Sequence, residues 1–179
     1  GSRLDVPVDY ASGDRTLRLN GEALFTVHGH GGAPFTVVAG GAAARVLGTS
    51  FVVRHYADDS ATIIAVRSGR VAVRSSVVTA GQELRVSRSG IIGLHPADPA
   101  LFGFASGVLV LDDVPLPRAI SELDRWYNAD IRLGDAALGA RRVSGNIPAG
   151  SLTDLAALLE LTYDVRVVRD GRVLTLFPR

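Results

Sequence analysis

Between Arg15 and Arg88, apolar and polar residues alternate in short runs: RTLRL (15–19), EALFTVH (22–28), PFTVVA (34–39), SFVVRHYA (50–57), ATIIAVR (61–67), RVAVR (70–74) and ELRVSR (83–88). Side chains project to opposite faces of a strand in turn, so Leu84 and Val86 share one face and Arg85 and Ser87 the other. Asn20-Gly21, Asp58-Asp59, Ser68-Gly69 and Ala80-Gly81 supply turn chemistry between the runs. Short strands set off by turns at intervals of about 8–12 residues predict an antiparallel sandwich or roll. Only a short alanine run at 42–44 has any helical character.

Two prolines interrupt the pattern in HPADPALFGFAS (95–106), which is expected to be a linker, with Asp98-Pro99 and Phe104 docking it onto a neighbouring sheet. The period then changes. After an expected strand VLVLDD (108–113), Leu116, Ala119, Ile120, Leu123 and Tyr127 fall on one helical stripe. Pro115 and Pro117 suit a first helical turn, where a missing N–H costs nothing. ADIRL (129–133) and RRVSGNI (141–147) are expected strands. A second helix is expected from Ser151, whose hydroxyl can cap near Asp154, with Leu152, Leu155, Ala156 and Leu159 as its stripe and Leu158 widening it. DVRVVR (164–169) and RVLTLF (172–177) flank Asp170-Gly171, which predicts a type I′ hairpin. The fold class is therefore α+β. An all-β domain spans 3–94, a linker 95–106, and a small domain of repeated βαβ units 107–179.

A chain of 179 residues with 47% hydrophobic and 21% charged residues can bury a core. No apolar run approaches the roughly 20 residues that span a bilayer, and no signal-peptide pattern opens the chain. Gly1-Ser2 resembles a tag-cleavage scar, so the chain is expected to be a segment excised from something longer. Net charge is +1, and neither half is strongly basic, which gives no support for binding a phosphate backbone. Every basic residue other than histidine is Arg, a feature best explained by codon bias. The absence of Cys excludes disulfides, thiolate metal sites and a Cys nucleophile.

Candidate chemistry is sparse. His28 and His30 share a face if they lie on a strand and could chelate a metal, but no spacing recruits a third ligand, and solvated loop histidines explain them better. His55 falls on an expected strand and His95 in the linker. No nucleophile elbow is present, and the adjacent carboxylates of Asp58-Asp59 and Asp112-Asp113 point apart on a strand. Gly29, Gly31-Gly32 and Gly40-Gly41 lack the helix start and Lys of a phosphate loop. Neither an enzyme nor a cofactor or metal site is expected. Trp126-Tyr127 at a helix end fits core or rim better than ligand stacking.

What remains is surface. Edge strands offer unpaired backbone groups to a partner, and the helix from Leu152 to Leu159 is wider in apolar residues than a small sheet needs. The residues expected to contact a partner protein are Leu109, Leu111, Leu152, Leu155, Leu158, Val165, Val167 and Leu174.

Several phrases carry a family resemblance. They are Gly21-Glu22-Ala23 with Phe25 and Val27, Pro34-Phe35 with Val37, Leu47-Gly48-Thr49 with Phe51 and Val53, Val66, Gly69-Arg70-Val71, and Ala80-Gly81-Gln82-Glu83. In this order they resemble the FecR family. Leu116, Glu122-Leu123, Trp126-Tyr127, Ser144-Gly145 and Leu152 to Leu159 resemble the secretin/TonB short N-terminal fold that ends those regulators. The resemblance covers about residues 15–177, and Phe104 stands where the family commonly has a linker Trp. It implies the periplasmic region of a membrane-anchored anti-sigma regulator whose C-terminal part binds the signalling domain of a TonB-dependent outer-membrane transducer. That contact, with regulated proteolysis, would control release of a sigma factor, usually in iron or siderophore uptake. The sigma-binding segment and the membrane helix are expected to lie outside this chain. A cell-envelope carbohydrate-binding module is the competing expectation.

Overall fold

A computed structural model of the chain describes residues 1–10, 15–29 and 33–179. It divides into two compact units, Ser2–Phe102 and Gly103–Arg179.

Among the described residues, the first unit contains ten strands. They are β1 (Arg3–Asp5), β2 (Thr16–Val27), β3 (Phe35–Ala39), β4 (Ala42–Val46), β5 (Thr49–His55), β6 (Thr62–Ser68), β7 (Arg70–Val73), β8 (Ser76–Thr79), β9 (Gln82–Ser87) and β10 (Gly90–Pro96). They follow the order β10-β9-β6-β5-β2-β3-β4-β7-β8, with β1 on β2. Two corrections to the sequence reading meet in β2. Asn20-Gly21 is not a turn but the corner of one continuous 12-residue strand, whose first part pairs with β1 and β3 and whose remainder pairs with β5. Gly21 bends it at φ 121°, and a Cβ there would meet Ser2 Oγ at 2.5 Å. The β2–β3 pairing is parallel, not antiparallel.

The alanine run is strand as well. Ala42 and Ala44 are buried against β3 while Ala43 faces out, so packing overrides the helical preference of Ala. β1, β8 and β10 were also not expected from the sequence. One core fills the unit, with the Phe25 and Phe51 rings stacked at 5.5 Å and Val37, Ile64, Val71 and Leu84 sealed around them.

The segment expected as a linker is structured. His95-Pro96 complete β10, and Pro99–Ser106 form a 3₁₀ segment. Buried Glu83 accepts a hydrogen bond from Asp98 N–H at 3.2 Å and pairs with Arg85 at 2.8 Å, while the Arg67 guanidinium lies 5.0 Å from the Phe102 ring centre.

The second unit runs β11 (Val108–Pro115), α1 (Leu116–Tyr127), β12 (Asp130–Leu133), β13 (Arg142–Pro148), α2 (Leu152–Tyr163), β14 (Val165–Asp170) and β15 (Val173–Pro178). Its strands form two sheets, an antiparallel β11-β13 pair and a β12-β15-β14 sheet in which β12 and β15 run parallel. Leu116, Ala119, Ile120, Leu123 and Tyr127 are all buried, as the stripe requires. Ser151 and Asp154 form a capping box that starts α2. The hairpin turn sits one residue later than expected: Asp170 pairs with Val173, and of the Gly171-Arg172 loop only Gly171 has positive φ. A glycine at the first central position marks a type II′ loop rather than type I′.

The two βαβ passages superpose in sequence at an offset of 36 residues. Leu116, Leu123, Tyr127 and Ile131 correspond to Leu152, Leu159, Tyr163 and Val167. Asn128 and Asp164 correspond too, and each ends its helix in the left-handed conformation.

Candidate docking surface

Burial sorts the residues expected to contact a partner. Leu111, Leu152, Leu155, Val165 and Leu174 are in the core of the second unit, and Leu109, Leu158 and Val167 are partly buried against it. Their side chains hold the unit together, which leaves backbone edges and the residues between them as the surface on offer. Leu161 on α2 is 85% exposed and Val168 on β14 is 44% exposed; alternation passes over both because they lie off the stripes.

Each edge has its own condition. In the three-stranded sheet, Asp124 of α1 accepts a hydrogen bond from Ile131 N–H of β12 at 2.7 Å. At the opposite edge, Glu160 of α2 accepts one from Val167 N–H of β14 at 2.8 Å. Both N–H groups are ones an added strand would need. On β13, Tyr163 OH donates to Ser144 O at 3.1 Å and Tyr127 OH to Pro148 O at 2.7 Å, so equivalent tyrosines of the two helices occupy carbonyls along that strand.

β11 differs. It pairs only with β13, and among the described residues no side chain bonds to its backbone between Val108 and Asp112. Gly103 covers its start, where a Cβ would lie 2.9 Å from Val108 O and 3.0 Å from Val110 Cγ2. Downstream, a bulge at Asp112-Asp113 ends the regular edge. Asp113 has φ 47°, its N–H donates to Ser144 Oγ, and Arg142 pairs with its carboxylate at 2.7 Å. That bond and the Arg142 charge hold Asp113 below the usual carboxylate pKa. Among the described residues, the β11 backbone edge left without a side-chain partner therefore runs from Val110 to Asp112.

Burial raises the pKa of Asp124, and the nearby Asp130 charge adds to the rise while the Ile131 N–H opposes it. Burial also raises Tyr127 and Tyr163, so both hydroxyls stay protonated as donors. Arg172 closes the C-terminal end of α1 by donating to the carbonyls of Tyr127 and Asn128.

No grouping of three or more His, Cys, Asp or Glu suited to a metal occurs among the described residues. His28 follows β2, and His30 and Gly31-Gly32 lie outside the described residues. His55 sits beside Gly40 at the end of β5, and His95 lies in β10. Trp126 is half-buried against the core of the second unit. None of the described helices is long and apolar enough to cross a membrane.

Comparison with known proteins is decisive about family. The model described as "FecR protein" matches residues 1–72, and that described as "FecR, C-terminal" matches 108–176. The chain belongs to the FecR family. Two crystal structures of a candidate anti-sigma factor from Parabacteroides distasonis, at 1.65 and 2.50 Å resolution, superpose with TM-scores of 0.79 and 0.78. Each is 26% identical and covers all of this chain and 87% of its own. No curated protein matches the sequence. FecR family proteins are membrane-anchored regulators with periplasmic regions, and this chain is a sigma regulator of the anti-sigma class that works through protein partners.

Proposed function

We propose that the chain is the periplasmic signal-receiving region of its regulator. Its second unit binds the signalling domain of a TonB-dependent outer-membrane transducer, in a circuit serving iron or siderophore uptake. The observation that carries this reading is the uneven state of the strand edges. Three of four are occupied by side chains from the helices, and β11 is left open beside partly buried Leu109 and Val110. A protein that receives a signal by strand addition needs one accessible edge and gains from blunting the others, since each open edge invites unwanted pairing.

Titration calorimetry of the chain against the purified signalling domain of a transducer encoded beside it tests the reading. Saturable binding that is lost in Val110→Pro supports it, because proline removes the N–H an added strand would engage. Absence of binding by the wild-type chain counts against it.

A further inference from the structure

The first unit carries a second surface that strand addition at β11 does not use. On the outward face of β2, β3, β4, β7 and β8, alternation places Thr16, Arg18, Thr36, Val38, Ala43, Arg45, Arg70, Ala72, Val77 and Thr79. Among the described residues of β3, β4, β7 and β8, that face holds two guanidinium groups, Arg45 and Arg70, and no carboxylate; Glu22 of β2 lies 3.7 Å from Arg54 of β5. Asp5 of β1, opposite Arg18 of β2, is paired to Arg3 at 2.9 Å. Neither Arg45 nor Arg70 has an ion-pair partner among the described residues.

At one end of this face lies a recess of about 740 Å³ lined by Pro34, Arg45, Leu47, Gly48, Arg70 and Val77, with Ala72 in register between Arg45 and Val77. Leu47 is 59% exposed and Val77 55% exposed, so the recess presents two aliphatic side chains to solvent. Arg45 pairs across β4–β7 with Ala72, which makes Arg70 its diagonal neighbour on the same face. Diagonal neighbours on an antiparallel pair stand about 7–8 Å apart. Residues i and i+2 of an extended peptide project to one side about 6.6 Å apart.

We propose that this recess binds an extended acidic peptide segment of a protein partner. Two carboxylates at alternate positions meet Arg45 and Arg70, and an aliphatic residue of the same segment packs against Leu47 or Val77, which line the same recess. The carboxylate-free lining supplies the charge complementarity, and guanidinium forks suit carboxylates in particular. A recess with aliphatic walls favours a peptide over an anionic membrane, which would need protruding rather than recessed apolar groups.

The test is fluorescence polarisation with the full chain and a labelled peptide Gly-Asp-Ser-Asp-Ser-Leu-Ser, against the same peptide with Asn for Asp. The proposal expects the acidic peptide alone to bind, and the Arg45→Glu/Arg70→Glu double variant to bind about tenfold more weakly. Leu47→Ser is expected to weaken binding as well, and Arg88→Glu, a charge reversal at an exposed turn elsewhere, to leave it unchanged. Should the double variant misfold by circular dichroism, Arg45→Gln alone carries the same expectation at smaller amplitude. Equal binding of both peptides, binding of neither, or indifference to the arginine changes would overturn the proposal. So would co-sedimentation with phosphatidylglycerol vesicles that depends on Arg45 and Arg70 while the peptide stays unbound. Val110→Pro leaves this recess untouched, so failure here and failure of the β11 reading are separable.

Discussion

Asp124 and Glu160 stand 36 residues apart, one on each helix, and each carboxylate holds a backbone N–H seven residues ahead of it on an outer strand of the same sheet. The duplicated βαβ plan thus places an acid at both ends of the β12-β15-β14 sheet. The physical effect is to satisfy two edge donors that would otherwise pair with water or with another chain.

Glu160→Ala removes one of these acceptors. The expected cost is about 1 kcal/mol of stability for the second unit, with new self-association through β14 at high concentration. Urea unfolding and sedimentation velocity measure the two effects. Glu160→Gln keeps a side-chain oxygen for Val167 N–H and is expected to restore the monomer.

Asp124 predicts a pH dependence of definite sign. Burial raises its folded-state pKa above the ordinary 3.8, so its favourable contribution is fully present below that value and is lost as pH rises through the raised one. Asp124→Asn still accepts from Ile131 N–H but cannot ionise. The difference in Tm, variant minus wild type, is expected to be more positive at pH 7 than at pH 3; an unchanged difference contradicts the assignment.

Asp154 carries the opposite sign. Its bonds from the Ser151 side chain and backbone lower its pKa below 3.8, so its stabilisation is present above that value and is lost as pH falls through the lowered one. Ser151→Ala breaks the capping box and is expected to cost about 1 kcal/mol at neutral pH. The penalty should shrink in acid, where Asp154 is protonated in either protein.

Gly21→Ala tests the corner of β2. A Cβ at φ 121° meets Ser2, and an L-residue rarely adopts that conformation, so a loss of about 1–3 kcal/mol is expected for the first unit. Chemical denaturation followed at Trp126 reports only the second unit, so far-ultraviolet circular dichroism is the readout that applies.

Much of this fold was legible from periodicity. The stripe from Leu116 to Tyr127 and the cap at Ser151 are local signals, and local signals survive in the structure. The corner at Gly21 was not, because Asn-Gly is turn chemistry in isolation and only the pairing of β2 with both β3 and β5 keeps the strand running. The strand Ala42–Val46 was hidden for a similar reason, being specified by the burial of alternate residues against β3. On the candidate surface, sequence patterns indicate which residues are apolar but not which are consumed by the core, as with Leu155 and Leu174. The edge-blocking roles of Asp124, Glu160, Tyr127 and Tyr163 depend on contacts between elements. The 36-residue repeat was the one signal in the sequence that linked them.

Amide hydrogen exchange on the chain with and without the transducer signalling domain tests the central claim most directly. Slowed exchange at Val110 and Asp112, with Ile131 and Val167 unchanged, is the predicted result. Protection that appears along β12 or β14 while β11 exchanges as in the free protein would contradict it.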